Sequence, residues 1–392
     1  MSNSFQSKIA YWACVTCSIL LMMSTNIASG VYPLYKSLNI LNALQITEVF
    51  AAYIFGLIPT LLISSWLHSK YGLRIVILTA LTCSIIGTLI IGLGNEFSYF
   101  LCGRIFQGIA VGLSTSNLAA AIVRLEPNGN HHRAALATGL AMTNGGGLAP
   151  IIGALIAQYF AHPTLTPYLI IVLLLCMMLP LTFSMPHVKN SNPKINLPRV
   201  PHSHKDVFKR SATAAFLAWT VPAIFLSVVP VVVASHLPNS NLIYPAIAAG
   251  AVLIVSGITQ ALGMRLKPEI ALQCGYYTLV IAASLLIYGE FSSAFSIILA
   301  SSVLGGIGHG LTFLGATRLL NATISKLEAR TEILAAYNIA IYLGVGIPVF
   351  CVGVLSTLMQ TSEAVCLFGG FVIALSAYNL VKNRNKKLEY AQ

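Results

Sequence analysis

LCGRIFQGIAVGLSTSN, residues 101–117, sets an arginine inside a run that otherwise has the composition of a membrane-spanning helix. A charged side chain near the centre of a bilayer costs about 2.5–3.5 kcal/mol on insertion scales, so such residues face a protein interior or a water-filled cavity and mark function. At helical spacing Arg104 shares a face with Gln107, Gly108, Val111, Ser114 and Thr115. That face is polar and small, and it is expected to line a cavity rather than meet lipid.

The rest of the chain has the same solvent. Of 392 residues, 57% are hydrophobic and 8% charged, and the mean hydropathy of +0.82 lies outside the range of soluble domains. A helix needs about 20 apolar residues to cross a bilayer. On that measure twelve spans are expected, at 9–34, 46–68, 74–93, 97–124, 133–160, 165–185, 211–235, 241–265, 269–288, 293–318, 330–357 and 361–381. The first follows only Lys8 and is too long for the apolar core of a cleaved signal, so it is expected to remain a span. One connector is long, polar and basic, and it divides the spans six and six. The expected organisation is an all-α membrane protein with a six-helix bundle over 1–185, a basic linker over 186–210, a second six-helix bundle over 211–381 and a tail over 382–392.

The formal net charge of +12 is not gathered on one surface, as a nucleic-acid footprint requires. It sits in alternate connectors: the N-terminus, the central segment (Lys189, Lys194, Arg199, Lys205, Lys209, Arg210), the tail (Lys382, Arg384, Lys386, Lys387) and the connectors after spans 2, 4, 8 and 10. The opposite connectors hold only Lys36, with Glu48, Glu96, Glu290 and Glu363 on that side. The positive-inside rule then places both termini in the cytoplasm. The eight cysteines fall in apolar runs, where thiols behave as small hydrophobes, and neither a disulfide framework nor a metal site is expected.

The halves resemble one another. EFS recurs at 96–98 and 290–292 and RL at 124–125 and 318–319, while GIAVGL at 108–113 answers GIGHGL at 306–311 with a four-residue slip. Transporters are often built from such repeats, with the substrate site near the midplane between them. In the glycine alignment His309 takes the place of Val111, and a histidine can carry a proton near neutral pH. Asn26, Asn144 and Asn338 are polar at membrane depth. Together with Arg104, Ser114, Thr115 and His309 they are candidate substrate contacts, interhelical hydrogen bonding being the other use of such groups. No Asp or Glu is expected deep in a span.

GRIFQG, with Arg104, Gln107 and Gly108, resembles the R-x-x-Q-G motif of the major facilitator superfamily. NGGGLAPIIGAL, with Gly145, Ala149, Pro150, Gly153 and Ala154, is similar to the glycine and proline motif of that superfamily's drug:proton antiporter branch, with alanine at two glycine positions. SWLHSKYGLR resembles the motif between spans 2 and 3: Lys70, Gly72 and Arg74 match, but Ser65 replaces a glycine, Ser69 the aspartate and Leu73 an arginine. The charge pair of that motif therefore cannot form as in the family, and the neighbouring His68 is expected to be solvated in the loop.

The resemblance implies a twelve-helix transporter working by alternating access, most simply an exporter in the drug:proton antiporter style, driven by the proton gradient and without a cofactor. Proton coupling would rest on Arg104, Gln107 and His309, or on the peripheral acids Glu48 and Glu332, and the conformational motifs on Lys70, Gly72, Arg74, Gly145, Ala149, Pro150 and Gly153. The alternative is an importer of an organic acid or metallophore with the same fold. Neither an HExxH pair nor paired deep carboxylates are present in the sequence, so an enzyme is not expected. With donors and no acid at depth, the solute is expected to be neutral or anionic, siderophore-like rather than a cationic drug. The expected setting is a bacterial cytoplasmic membrane, the expected contacts are lipid and a small solute but no nucleic acid, and the expected state is a monomer.

Overall fold

The computed structural model describes residues 2–186, 198–237, 241–324 and 329–389. Lys189 and Lys194 of the central segment lie outside the described residues, as do the side chains of Arg384, Lys386 and Lys387. All regular structure among the described residues is helical. In the first half α1 (Ser2–Asn26) passes through a 3-10 turn (Ile27–Gly30) into α2 (Tyr32–Ser37). There follow α3 (Ala43–Tyr71), α4 (Leu73–Leu93), α5 (Phe97–Leu125), α6 (His131–Tyr159) and α7 (Thr166–Met178). The second half holds α8 (Lys205–Ser227), α9 (Val229–His236), α10 (Ile243–Gly263), α11 (Pro268–Ser292), α12 (Phe295–Ile324), α13 (Arg330–Leu355) and α14 (Thr361–Glu389). Residue contacts group the chain into two compact units, Met1–Asn42 with Glu48–Pro198, and Ala43–Thr47 with Arg199–Gln392.

Eleven stretches among the described residues are long and apolar enough to cross a bilayer, and α8 with α9 supplies a twelfth as one bent span. This is the twelve-span architecture expected from hydropathy. The bend of 44° falls at Val228. Pro230, in the first turn of α9, has no N–H to return to the Leu226 carbonyl, so the helix restarts there rather than continuing. The first span is broken too, at Ile27–Gly30, where Gly30 lies so close to Pro150 of α6 that a Cβ would overlap the Pro150 carbonyl.

Internal packing shows the repeat and corrects its register. Phe97 and Phe295 open α5 and α12, a shift of 198 residues. At the same shift Gly108 and Gly306 face the carbonyls of Tyr53 on α3 and Val252 on α10, and Gly112 and Gly310 face those of Leu57 and Ser256. Pro150 and Pro348 fall at the same shift inside α6 and α13. The glycine alignment was thus in register, and the EFS and RL matches, at 194, are one helical turn out. Two- and three-residue matches arise by chance among apolar helices, whereas a glycine that admits a neighbouring backbone is held in place by contact.

Candidate functional site

Arg104 is 1% exposed and is held by three helices. Its Nε donates to the Val49 carbonyl at 3.1 Å and its Nη2 to that of Phe50 at 3.1 Å, both on α3. Nη1 donates to the Thr25 carbonyl at 2.6 Å and to Gln107 Oε1 at 3.0 Å. The Phe50 and Tyr53 rings cover the guanidinium at 5.4 and 4.9 Å. Gln107 completes the cluster, donating from Nε2 to the Ser24 carbonyl at 2.8 Å and to Thr88 Oγ1 at 3.2 Å. Ser24 and Thr25 belong to the last turn of α1, where carbonyls have no intrahelical donor because the span breaks at Ile27. The arginine and glutamine supply those donors.

This corrects the expectation that the Arg104 face lines a water-filled cavity. The face packs against α1 and α3, because Gly108 and Gly112 let α3 approach to backbone contact and backbone oxygens take the place of water. Four of the five guanidinium donors are engaged, through Val49, Phe50, Thr25 and Gln107. Ser114 and Thr115 turn back onto the Val111 carbonyl of their own helix at 3.4 and 2.7 Å. Asn26 likewise donates to the Met22 carbonyl at 2.9 Å and to Thr25 Oγ1 at 3.0 Å. Asn144 Oδ1 on α6 is buried without a partner, and Asn338 is half-buried on α13 in the other unit.

The small residues of α6 do lie on a seam. A Cβ on Gly145 would meet the Ile19 carbonyl at 2.7 Å and one on Gly153 the Ile27 carbonyl at 2.6 Å, with Ala149 and Ala154 fully buried between and beyond them. The segment around Gly72 is helical rather than a loop as far as Tyr71, and Gly72 alone, at φ 84°, reverses the chain between α3 and α4. Lys70 lies over the Trp66 and Tyr71 rings, and Arg74 donates to the Phe183 carbonyl at 2.7 Å, tying α4 to the end of the sixth span. His68 is half-buried rather than free in a loop: its Nδ1 lies 2.9 Å from Oδ1 of the buried Asn117, joining α3 to α5 near the missing aspartate.

In the second unit His309 is fully buried within a cluster from α8, α10 and α12. Trp219 meets it edge-to-face at 5.0 Å and Phe313 stacks on it at 5.9 Å. Ser256 Oγ lies 2.6 Å from His309 Nδ1 and accepts from Gln260 Nε2 at 3.0 Å. If the serine donates to Nδ1, the imidazole proton stands on Nε2; if Nδ1 donates to the serine, Nε2 is an acceptor. That nitrogen and Trp219 Nε1 are both buried and without hydrogen-bond partners among the described residues. The indole N–H is a donor whatever the histidine tautomer, and the imidazole Nε2 is a second open polar atom in the same cluster. Sequence reasoning named the histidine but not Ser256, Gln260 or Trp219, which stand beside it; the spacing of Ser256 and Gln260 at i and i+4 is the local signal for their contact.

A buried acid was also missed. Glu290, expected among the acids on the outer side, has a completely buried side chain near the end of α11, with His236 Nε2 of α9 4.0 Å from its Oε2.

The major facilitator superfamily model matches residues 14–348. A comparison with curated protein sequences finds no match. Among solved structures, a POT family transporter in complex with 5-aminolevulinic acid is similar at TM-score 0.77 and 10% identity, covering 96% of each chain. A D-xylose-proton symporter is similar at 0.76 and 13% identity, over 95% of this chain and 96% of that one. The xylose transporter XylE from E. coli, in a partially occluded inward-open conformation, is similar at 0.73 and 13% identity, over 96% and 97%.

Proposed function

Because this chain belongs to the major facilitator superfamily, we propose that it exports a small neutral or anionic organic solute from the bacterial cytoplasm by alternating access, with protons moving inward in exchange. A carboxylated or siderophore-like metabolite fits best. The observation that carries the solute class is the pair of buried nitrogens without hydrogen-bond partners among the described residues, Trp219 Nε1 and His309 Nε2, which are two donors when the imidazole proton stands on Nε2. An acceptor-bearing solute satisfies such donors, whereas a cation would leave them unpaired and bring its own charge to a site without a carboxylate. Arg104, with most of its donors engaged, serves to hold α1, α3 and α5 together and to set the local charge. The direction of transport rests on the α1–α6 seam, whose residues resemble the exporter motif.

The test expresses the protein in cells lacking their main efflux pumps and compares carboxylated metabolites released into the medium with resistance to cationic dyes. Release should rise, and His309→Phe, which keeps the ring and removes the donor, should abolish the rise at unchanged protein abundance. Protection against ethidium-like cations with unchanged release of anions overturns the solute class. The two alanines at motif glycine positions favour a second reading, import of an organic acid or metallophore, which the same cells would reveal as accumulation instead of release.

A further inference from the structure

Glu290 stands one turn before the left-handed Ser293 that closes α11, and none of its side chain reaches solvent. Neither carboxylate oxygen has a hydrogen-bond donor among the described residues, and His236 Nδ1 is buried without a partner as well. Burying a charged carboxylate without donors is costly unless an opposite charge or a proton accompanies it. The imidazole at 4.0 Å is near enough to interact and too far to hydrogen-bond. We propose that Glu290 and His236 form a proton-binding site in the second unit, the two side chains sharing a single proton.

The pair is electrically neutral with its one proton on either the imidazole or the carboxyl group. Adding a second proton leaves a net positive charge on the half-buried imidazole, and removing the first leaves a fully buried anion, so the two groups titrate as a unit. Few other ionisable groups face the pair. α14 contributes Cys366 and, beyond it, Glu363, which is exposed and accepts from the Gln360 amide at 3.0 Å. α12 presents Ile297 and Ile298 against Gly289, and Tyr244 of α10 pairs with Phe295.

The location gives the proton a mechanical consequence. His236 is the last residue of α9, the short piece beyond the bend at Val228, while Glu290 belongs to the straight α11. Closing their separation by about 1 Å makes a charge-assisted hydrogen bond. The position of α9 and the protonation of the pair are thereby linked. The site would supply a proton carrier for the exchange proposed above, yet its existence does not depend on the solute or on the direction of transport.

The test is infrared difference spectroscopy of the full-length protein in lipid vesicles, between alkaline and acidic buffer. A carbonyl-stretch band of a buried protonated carboxyl should appear, vanish in Glu290→Gln and persist in Glu363→Gln and Glu96→Gln. In His236→Phe its pH midpoint should move by about one unit or more, as expected for loss of a coupled partner. Glu290→Asp, which keeps the acid and shortens its reach, should retain the band at an altered frequency, and it replaces the Gln variant if that one does not fold. A band that survives Glu290→Gln, the absence of any band, or a midpoint unmoved in His236→Phe overturns the shared site.

Discussion

A guanidinium in a bilayer-spanning protein needs acceptors, and Arg104 finds them in main-chain oxygens of α1 and α3 as well as in Gln107. A hydrogen bond to a charged group contributes about 1.5–3 kcal/mol. Arg104→Ala removes all of them and leaves the Thr25 carbonyl at the break of the first span without its donor. It should therefore lower the unfolding free energy by at least about 3 kcal/mol, read as a depressed unfolding midpoint in detergent, and abolish transport with it. Arg104→Lys should recover only a minority of that stability, because an ammonium cannot reproduce a fork reaching carbonyls on two helices. Wild-type stability in Arg104→Ala would show that the bonds to α1 and α3 contribute nothing net.

At the scale of elements, contact between helices is set by glycines facing carbonyls. Gly153 admits Ile27, where α1 gives way to the 3-10 turn, and Gly344 of α13 admits Phe216 of α8 at 2.4 Å or more from where a Cβ would stand. These two contacts belong to corresponding helix pairs in the two halves. Gly153→Leu and Gly344→Leu should each wedge one seam, leave insertion intact and reduce transport to a small fraction of wild type. The check is flux per inserted molecule in vesicles. Normal flux in Gly153→Leu would remove the support that the α1–α6 seam lends to export. Normal flux in Gly344→Leu alone would mean that only the first half uses its seam to move.

For the whole molecule, the 198-residue shift makes each half a version of the other, and the differences between versions are where function is specialised. Arg104 corresponds to Ser302, whose hydroxyl donates to the Ala248 carbonyl of α10 at 2.5 Å, so the first half alone carries a charge at this position. Val111 corresponds to His309, so the second half alone carries an imidazole at this position, its Nε2 without a hydrogen-bond partner among the described residues. Orientation in the membrane belongs to this scale as well. A cytoplasm-dependent reporter fused after Gln392 should be active, and one inserted after Ser293, between α11 and α12, should be inactive. Reversed activities would overturn the proposed topology.

Hydropathy alone located the spans, because a bilayer requires long apolar helices whatever their neighbours are. The family was legible in GRIFQG, whose Arg104, Gln107 and Gly108 serve contacts between helices of this fold. The partners were not legible. Arg104 meets Thr25 across 79 residues of chain, His68 meets Asn117 across 49, and His309 meets Ser256 across 53. No local periodicity reports such meetings. Glu290 shows the same limit most plainly: its place in the sequence put it among the outer-side acids, and only the tertiary packing around the end of α11 buries its carboxylate. Composition and periodicity determined which segments cross the membrane and which polar groups cross with them. Tertiary structure decided which of those groups are satisfied and which remain open, because a hydrogen bond depends on what stands within 3 Å or so of an atom, and in this fold that neighbour comes from a distant part of the chain.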